Sequence, residues 1–296
     1  MSIALTRSAA ARRNGAGISF MLLAVLLYGC MDAIVKYQAA RYPVIEVMFF
    51  RSLFALLPLA LLVMRGGGRR ALQSRQPWLQ AARALIGFVS LICFFEAFAL
   101  MPLADVVAIG FAAPLFVTAL SVPLLGEQVG WRRWSAVLVG FAGVLIMVRP
   151  GSGLFGFAAI VALLGTLTYA LSIIIIRRLS TTDRDAATVA SFTVFAVLAT
   201  GAALPFYWVT PAGSDWIMLI AMGLLGGAGQ IAFTRAFALA PPVIVAPFDY
   251  ANMLLATTLG YLIWGDVPTL AVLAGAVLVI ASGLYIVYRE AIRRGA

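Results

Sequence analysis

Long apolar runs divide this chain at nearly regular intervals. They cover residues 17–37, 43–64, 80–100, 103–125, 132–149, 154–176, 187–208, 215–239, 242–264 and 268–288. A helix rising 1.5 Å per residue needs about 20 apolar residues to cross the hydrocarbon core of a bilayer. In lipid, a helix satisfies its own backbone and an open strand edge does not. The pattern therefore predicts an all-α integral membrane protein with ten transmembrane helices. Pro43, Pro102, Pro150, Pro211, Pro241, Pro242 and Pro268 fall at the joins. Pro58, Pro114, Pro205 and Pro247 fall inside runs, where a missing N–H predicts a kink.

Composition agrees with this pattern. The 296 residues are 64% hydrophobic and 11% charged, where soluble domains run near 25% charged. Ten spans leave no room for a sizeable soluble domain, so any function must sit inside the bundle. The formal charge of +10 invites a nucleic-acid reading. The positions of the basic residues exclude it, because they lie between the apolar runs, as topology signals do. With the N-terminus inside, 15 Lys and Arg fall on the inner side, and Lys36, Arg41 and Arg149 fall on the outer. This puts both termini in the cytoplasm and requires an even number of spans. Arg7, Arg12 and Arg13 precede the first run, which reads as a retained span. Cys30 and Cys93 lie in apolar runs as free thiols, and there is no His. No metal or other cofactor is expected, and an embedded enzyme lacks a visible nucleophile–base set.

The chain also repeats itself. Glu96-Ala-Phe-Ala-Leu-Met-Pro102 matches Arg235-Ala-Phe-Ala-Leu-Ala-Pro241 at an offset of 139. The same offset pairs Val106 with Val245, Ala112 with Ala251, Leu115 with Leu254, Thr118 with Thr257 and Gly126 with Gly265. Earlier, Ala55–Pro58 resembles Ala202–Pro205 at an offset of 147, and the basic loop Arg65–Gln76 accounts for the difference. The repeats divide the chain at 1–149 and 150–296. Five spans in each half is an odd number, so the halves lie upside down relative to each other. Inverted repeats are an architecture of alternating-access carriers, with the site near the midplane at the repeat interface.

Several motifs carry a resemblance: Met31-Asp-Ala-Ile-Val-Lys36, Phe50-Arg51-Ser52, the Ala-Phe-Ala-Leu-x-Pro block in both halves, and Pro123-Leu-Leu-Gly-Glu127. On these residues the chain resembles the drug/metabolite transporter superfamily, EamA type, over nearly its whole length. The resemblance implies a ten-helix bundle around a central cavity. It also implies a substrate among amino acids, nucleotide-type metabolites, vitamins or drugs. Bacterial aromatic amino-acid exporters form one branch of that superfamily. Uptake carriers for S-adenosylmethionine or riboflavin share the look of the Asp32–Lys36 region.

An ionisable residue in the bilayer is costly and so a functional candidate. Asp32, Lys36, Glu46, Arg51, Glu96 and Asp105 fall in the outer half, and Arg83, Arg235 and Asp249 in the inner half. Asp32 and Lys36 are spaced to pair on one helix face. Arg51 has Asp32, Glu96 or Asp105 as prospective partners, and Arg235 has Asp249. Inversion keeps the repeat mates Glu96 and Arg235 apart. Arg83 reads as a snorkelling anchor and Glu46 as a solvated boundary acid. The midplane site is expected at Phe111–Pro114 and at Pro247–Asn252, the latter bringing Asp249, Tyr250 and Asn252. Tyr28, Phe95, Tyr169 and Gln230 are candidate walls. Pro114, Pro247, Gly226 and Gly227 are candidate kink or gating positions, with tight packing as the simpler role for the glycines. Trp78, Trp131, Trp208 and Trp216 read as interfacial anchors.

These residues suit a transporter of small polar metabolites, with amino-acid export favoured. Uptake of a vitamin or a nucleotide-type metabolite is the alternative. A channel or non-transporting receptor is the competing class. The expected partners are a small-molecule substrate and the bilayer. The chain is expected to be a monomer or weak dimer in a bacterial inner membrane.

Overall fold

The computed structural model describes every residue except Met1, Gly67, 126–129, 149–153, 180–181, 241–247 and Ala296. Among the described residues the secondary structure is helical throughout, with no strand. The α-helices are α1 (Ser2–Ala39), α2 (Val44–Arg65), α3 (Pro77–Leu100), α4 (Leu103–Gly110), α5 (Ala113–Leu125) and α6 (Trp131–Val148). They continue as α7 (Leu154–Leu179), α8 (Asp185–Ala203), α9 (Asp215–Leu239), α10 (Ala251–Trp264) and α11 (Leu270–Gly295). Short 3-10 helices occupy Gly68–Leu72 and Leu204–Phe206. Among the described residues, seven helical segments are long and apolar enough to cross a membrane, and shorter apolar helices accompany them.

The surface is that of a protein solvated by lipid. Leu138, Leu198, Ile217 and Leu254 are each at least 67% exposed in the body of their helices. Glu46, Arg51, Arg83 and Asp105 are at most 7% exposed. Apolar groups face outward and charges inward, the reverse of a water-soluble domain.

The run at 103–125 is not one helix. It breaks at Phe111–Ala112, and Pro114 lies in the first turn of α5. A proline there lacks only an N–H that has no intrahelical acceptor anyway. The predicted kink is thus a full break between two short helices. Pro58 by contrast sits inside the continuous α2.

Residue contacts give the helix directions. Gly17 faces Ala240, and Tyr28 faces Gly229, so α1 and α9 are antiparallel. Phe54 faces Gly223, and Pro58 faces Gly227, so α2 and α9 are parallel. Phe49 faces Gly201, while Leu59 and Val189 share a cleft, so α2 and α8 are antiparallel. Gln80 bonds Thr188, and Phe88 meets Phe195, so α3 and α8 are parallel. Gly87 faces Ser172, and Cys93 faces Gly165, so α3 and α7 are antiparallel. Hence α1, α3 and α8 run one way, and α2, α7 and α9 the other.

Glycine lets α9 lie directly on α2. A Cβ at Gly223 would sit 3.0 Å from the Arg51 carbonyl oxygen, and one at Gly226 would sit 2.7 Å from Met31 Sδ. Small residues at such crossings trade side-chain volume for close helix contact.

A charged and aromatic centre as the candidate functional site

Tyr28 and Asp32 are four residues apart on α1 and therefore share a face. Tyr28 Oη donates to Gln230 Oε1 of α9 at 2.9 Å, and its ring lies edge-on to Phe233 with centroids 6.3 Å apart. The Tyr28 hydroxyl also sits in the fields of Arg51, Tyr169, Asp32 and Asp249. Tyr169 of α7 feels Asp249 and Arg83, and its ring meets Phe94 of α3 edge to face at 6.4 Å. Tyr169 keeps 38% exposure although these partners are interior, which marks open space inside the bundle. Tyr28 and Tyr169 thus share a charged neighbourhood with Asp32, Asp249, Arg51 and Arg83, drawn from both halves of the chain. In a low-dielectric bundle such fields reach farther than in water.

A narrow cleft of about 20 Å³ adjoins this centre. Arg51, Ala55 and Leu59 line it from α2, and Arg83 from α3. Val189, Phe192 and Thr193 contribute from α8, and Gly226, Gly227, Gln230 and Ile231 from α9. Arg83 is not the snorkelling anchor that its place near a helix end suggests. It is 7% exposed, with its guanidinium 4.6 Å from the centroid of Phe192. The parallel packing of α3 on α8 turns it inward.

Of the other residues singled out by sequence, some join this centre and some do not. Phe111 and Tyr250 meet edge to face with centroids 5.0 Å apart. Asn252 lies against Gly29, where a Cβ would sit 3.1 Å from its Oδ1. Phe95 is 2% exposed and packs within the apolar core. Asp105 is buried in the first turn of α4. Glu96 is half-buried and Arg235 exposed. Among the described residues no ion pair joins Arg235 to Asp249, or Arg51 to Asp32, Glu96 or Asp105. Gly226 and Gly227 pack against α1 and α2, and Pro247 lies outside the described residues. Trp78 and Trp131 are 87% and 74% exposed, whereas Trp216 packs on Phe50.

Both ends of the bundle carry polar latches. On the side of the α1–α2 turn, Tyr42 Oη donates to Asp215 Oδ2 at 2.6 Å and Arg41 Nη1 to Asp215 Oδ1 at 3.4 Å. Tyr42 Oη in turn accepts the Ala212 N–H at 3.0 Å. The Asp215 bond holds the Tyr42 phenol above its ordinary pKa. Glu46 is not solvated there: it is 1% exposed, and Oε2 accepts the Val209 N–H at 3.0 Å. Lys36 does not turn back to Asp32. Its Nζ donates to Asp266 Oδ2 at 3.2 Å and to the Met101 carbonyl at 2.9 Å.

At the opposite end Asp183 is the hub. It accepts from Ser74 Oγ, from the Arg75 N–H at 2.8 Å and from Gln80 Nε2 at 2.9 Å. Burial pushes this carboxyl up, but the bonds from Ser74, Arg75 and Gln80 outweigh it and hold the pKa below the ordinary range. Ser191 Oγ, donating to Gln80 Oε1 at 3.0 Å, ties α8 to the same cluster.

Comparison with known proteins places this architecture. The S-adenosylmethionine uptake transporter of Rickettsia prowazekii is 27% identical over 278 residues, 93% of each chain. The pseudopaline exporter CntI of Pseudomonas aeruginosa is 33% identical over 271 residues, 90% of this chain and 94% of that one. A solved crystal structure shares the fold, with a TM-score of 0.64 at 19% identity over 93% of this chain and 97% of that chain. The profile of the EamA-like transporter family matches residues 15–149 and, a second time, residues 156–288. With its multi-pass apolar helices and buried charged centre, the chain belongs to the EamA-like transporter family, within the drug/metabolite transporter superfamily.

Proposed function

We propose that this protein is an alternating-access carrier for a small zwitterionic metabolite, most simply an amino acid or amino-acid derivative. The observation that carries this reading is the mixed charge beside aromatic walls: Asp32 with Arg51, and Asp249, around Tyr28 and Tyr169. A zwitterion presents an ammonium and a carboxylate to such a centre, and the rings supply apolar contact for its side chain.

The carrier is read as ten spans in two inverted halves, 1–149 and 150–296. α4 with α5 makes the fourth span, and α10 belongs to the ninth. Three features support this. The family profile matches twice along the chain. The repeat mates α1 and α7, α2 and α8, and α3 and α9 run in opposite directions. The mates Phe111 and Tyr250 touch. The setting is a bacterial inner membrane with both termini cytoplasmic. Export is the favoured direction, since the 33% identical relative is an exporter. Uptake is the second reading, supported by the S-adenosylmethionine carrier at 27%.

Counterflow in proteoliposomes tests the proposal, with labelled amino acids, nucleosides and vitamins as a panel. A carrier gives saturable uptake accelerated by unlabelled solute on the opposite side. Flux that rises linearly with concentration would mean a channel, and no exchange with any solute would remove the carrier reading.

A further inference from the structure

Two arginines are buried in the cleft between α2, α3, α8 and α9, and among the described residues neither is in direct contact with an acid. Arg51 and Arg83 are each 7% exposed. Among the described residues neither belongs to an ion pair. Arg51 Nε and Arg83 Nε and Nη1 are buried donors with no hydrogen-bond acceptor. Arg83 feels the charge of Arg51, and the field of Asp32 reaches Arg51. A buried polar donor is normally satisfied, and a buried charge normally paired. Here two like charges and three idle donors lie beside a narrow cleft, lined also by Thr193 and by Gln230, whose side chain reaches toward Tyr28.

We infer that this cleft is a carboxylate-binding subsite, in which Arg51 and Arg83 grip the carboxyl group of the transported solute. A guanidinium presents its N–H groups as a planar fork that matches a carboxylate. An anion here would satisfy the idle donors and relieve the repulsion between the arginines. Phe192 lies against the Arg83 guanidinium, with its ring centroid 4.6 Å from Arg83 Cζ. The second half has no counterpart: at the repeat offsets Leu198 stands for Arg51 and Met222 for Arg83. This assignment rests on the carrier reading and adds the orientation of the solute to it, carboxylate toward α2 and α3.

Thermal unfolding of the purified full chain tests it with L-phenylalanine, benzoate, L-phenylalaninamide and inorganic phosphate as probes. Both carboxylates should raise the midpoint by several degrees, and the amide should not. R83Q and R51Q should each lose the carboxylate shift, while R83K keeps part of it. R83Q should also unfold later than wild type without any probe, since it removes one of two repelling buried charges. An equal shift from the amide, an undiminished carboxylate shift in R83Q, or no carboxylate shift in wild type overturns the assignment. A phosphate shift as large as that of benzoate overturns it in favour of lipid headgroups or free phosphate. If counterflow succeeds while carboxylates give no shift, the carrier reading stands and this subsite falls.

Discussion

Asp215→Ala should open the bundle at the end where α1 meets α2. The carboxylate accepts a bond from Tyr42 at 2.6 Å, in a site where Asp215 itself is 4% exposed. A hydrogen bond to a charged group contributes about 1.5–3 kcal/mol. The Arg41 partner is half exposed and its contact is 3.4 Å, so screening leaves that pair only about 0.3 kcal/mol. The loss is therefore about 2–3 kcal/mol in the state that holds the latch closed. At 1.4 kcal/mol per decade, the open population relative to the closed one rises roughly 30- to 150-fold. Spin labels at Val209 and Val267, which are 45% and 70% exposed, report the separation of the two loops flanking the latch. A new longer-distance population should appear in the variant. An unchanged distance distribution, with unfolding shifted to lower temperature, would refute the latch as a gate and leave it a structural clasp. Tyr42→Phe should act in the same direction, and combining the two changes should be non-additive by about 1–3 kcal/mol, because they remove one bond.

The other predictions concern separate parts of the bundle. Asp249→Asn and Asp32→Asn should each lower counterflow at least tenfold without shifting the thermal midpoint by more than about 2 °C, the size of an ordinary surface change. Gly223→Val should force α2 from α9 and cost about 1–3 kcal/mol, read from thermal unfolding in detergent. Lys36→Met should lose the Asp266 and Met101 bonds and destabilise by about 1–3 kcal/mol, and the companion Asp266→Asn should add little to it. Asp183 has a folded pKa below its unfolded one, near 3.9, so its contribution is present above that value and fades as pH falls through the depressed folded pKa. Asp183→Asn should therefore narrow the gap to wild type at acid pH and leave it widest near neutrality, as measured by unfolding at a series of pH values.

Much of the fold is legible in the sequence because lipid imposes a simple rule on every span. The run at 215–239 coincides with α9 at both ends, since Ser214 and the pair Ala240–Pro241 bound a mostly apolar stretch. Residue type is legible too, and it singles out Asp32, Arg51 and Asp249 as candidates. Which way a side chain faces is not, because in a bundle apolar all round the helical period carries little contrast. Arg83 and Glu46 were misplaced for that reason: each sits near a helix end, and each is turned inward by a partner far along the chain, Phe192 and the Val209 N–H. Lys36 illustrates the same limit. Its local mate Asp32 is four residues away, yet it pairs with Asp266, 230 residues distant. The break at Phe111–Ala112 was half legible: Pro114 announces a disturbance, and only packing decides between a bend and two helices.

The contact between Phe111 and Tyr250 has a kinetic meaning. On the inverted-repeat reading these residues are exchanged by the same operation that exchanges the two resting states of the carrier. Touching mates stand at the fixed point of that operation, so they meet the same surroundings whichever side is open. The same change made at both positions should then raise or lower both states together and alter how fast they interconvert, leaving their ratio unmoved. Any preference for one side must come from residues without a mate of like chemistry, and Arg51 and Arg83, opposite Leu198 and Met222, are such a pair.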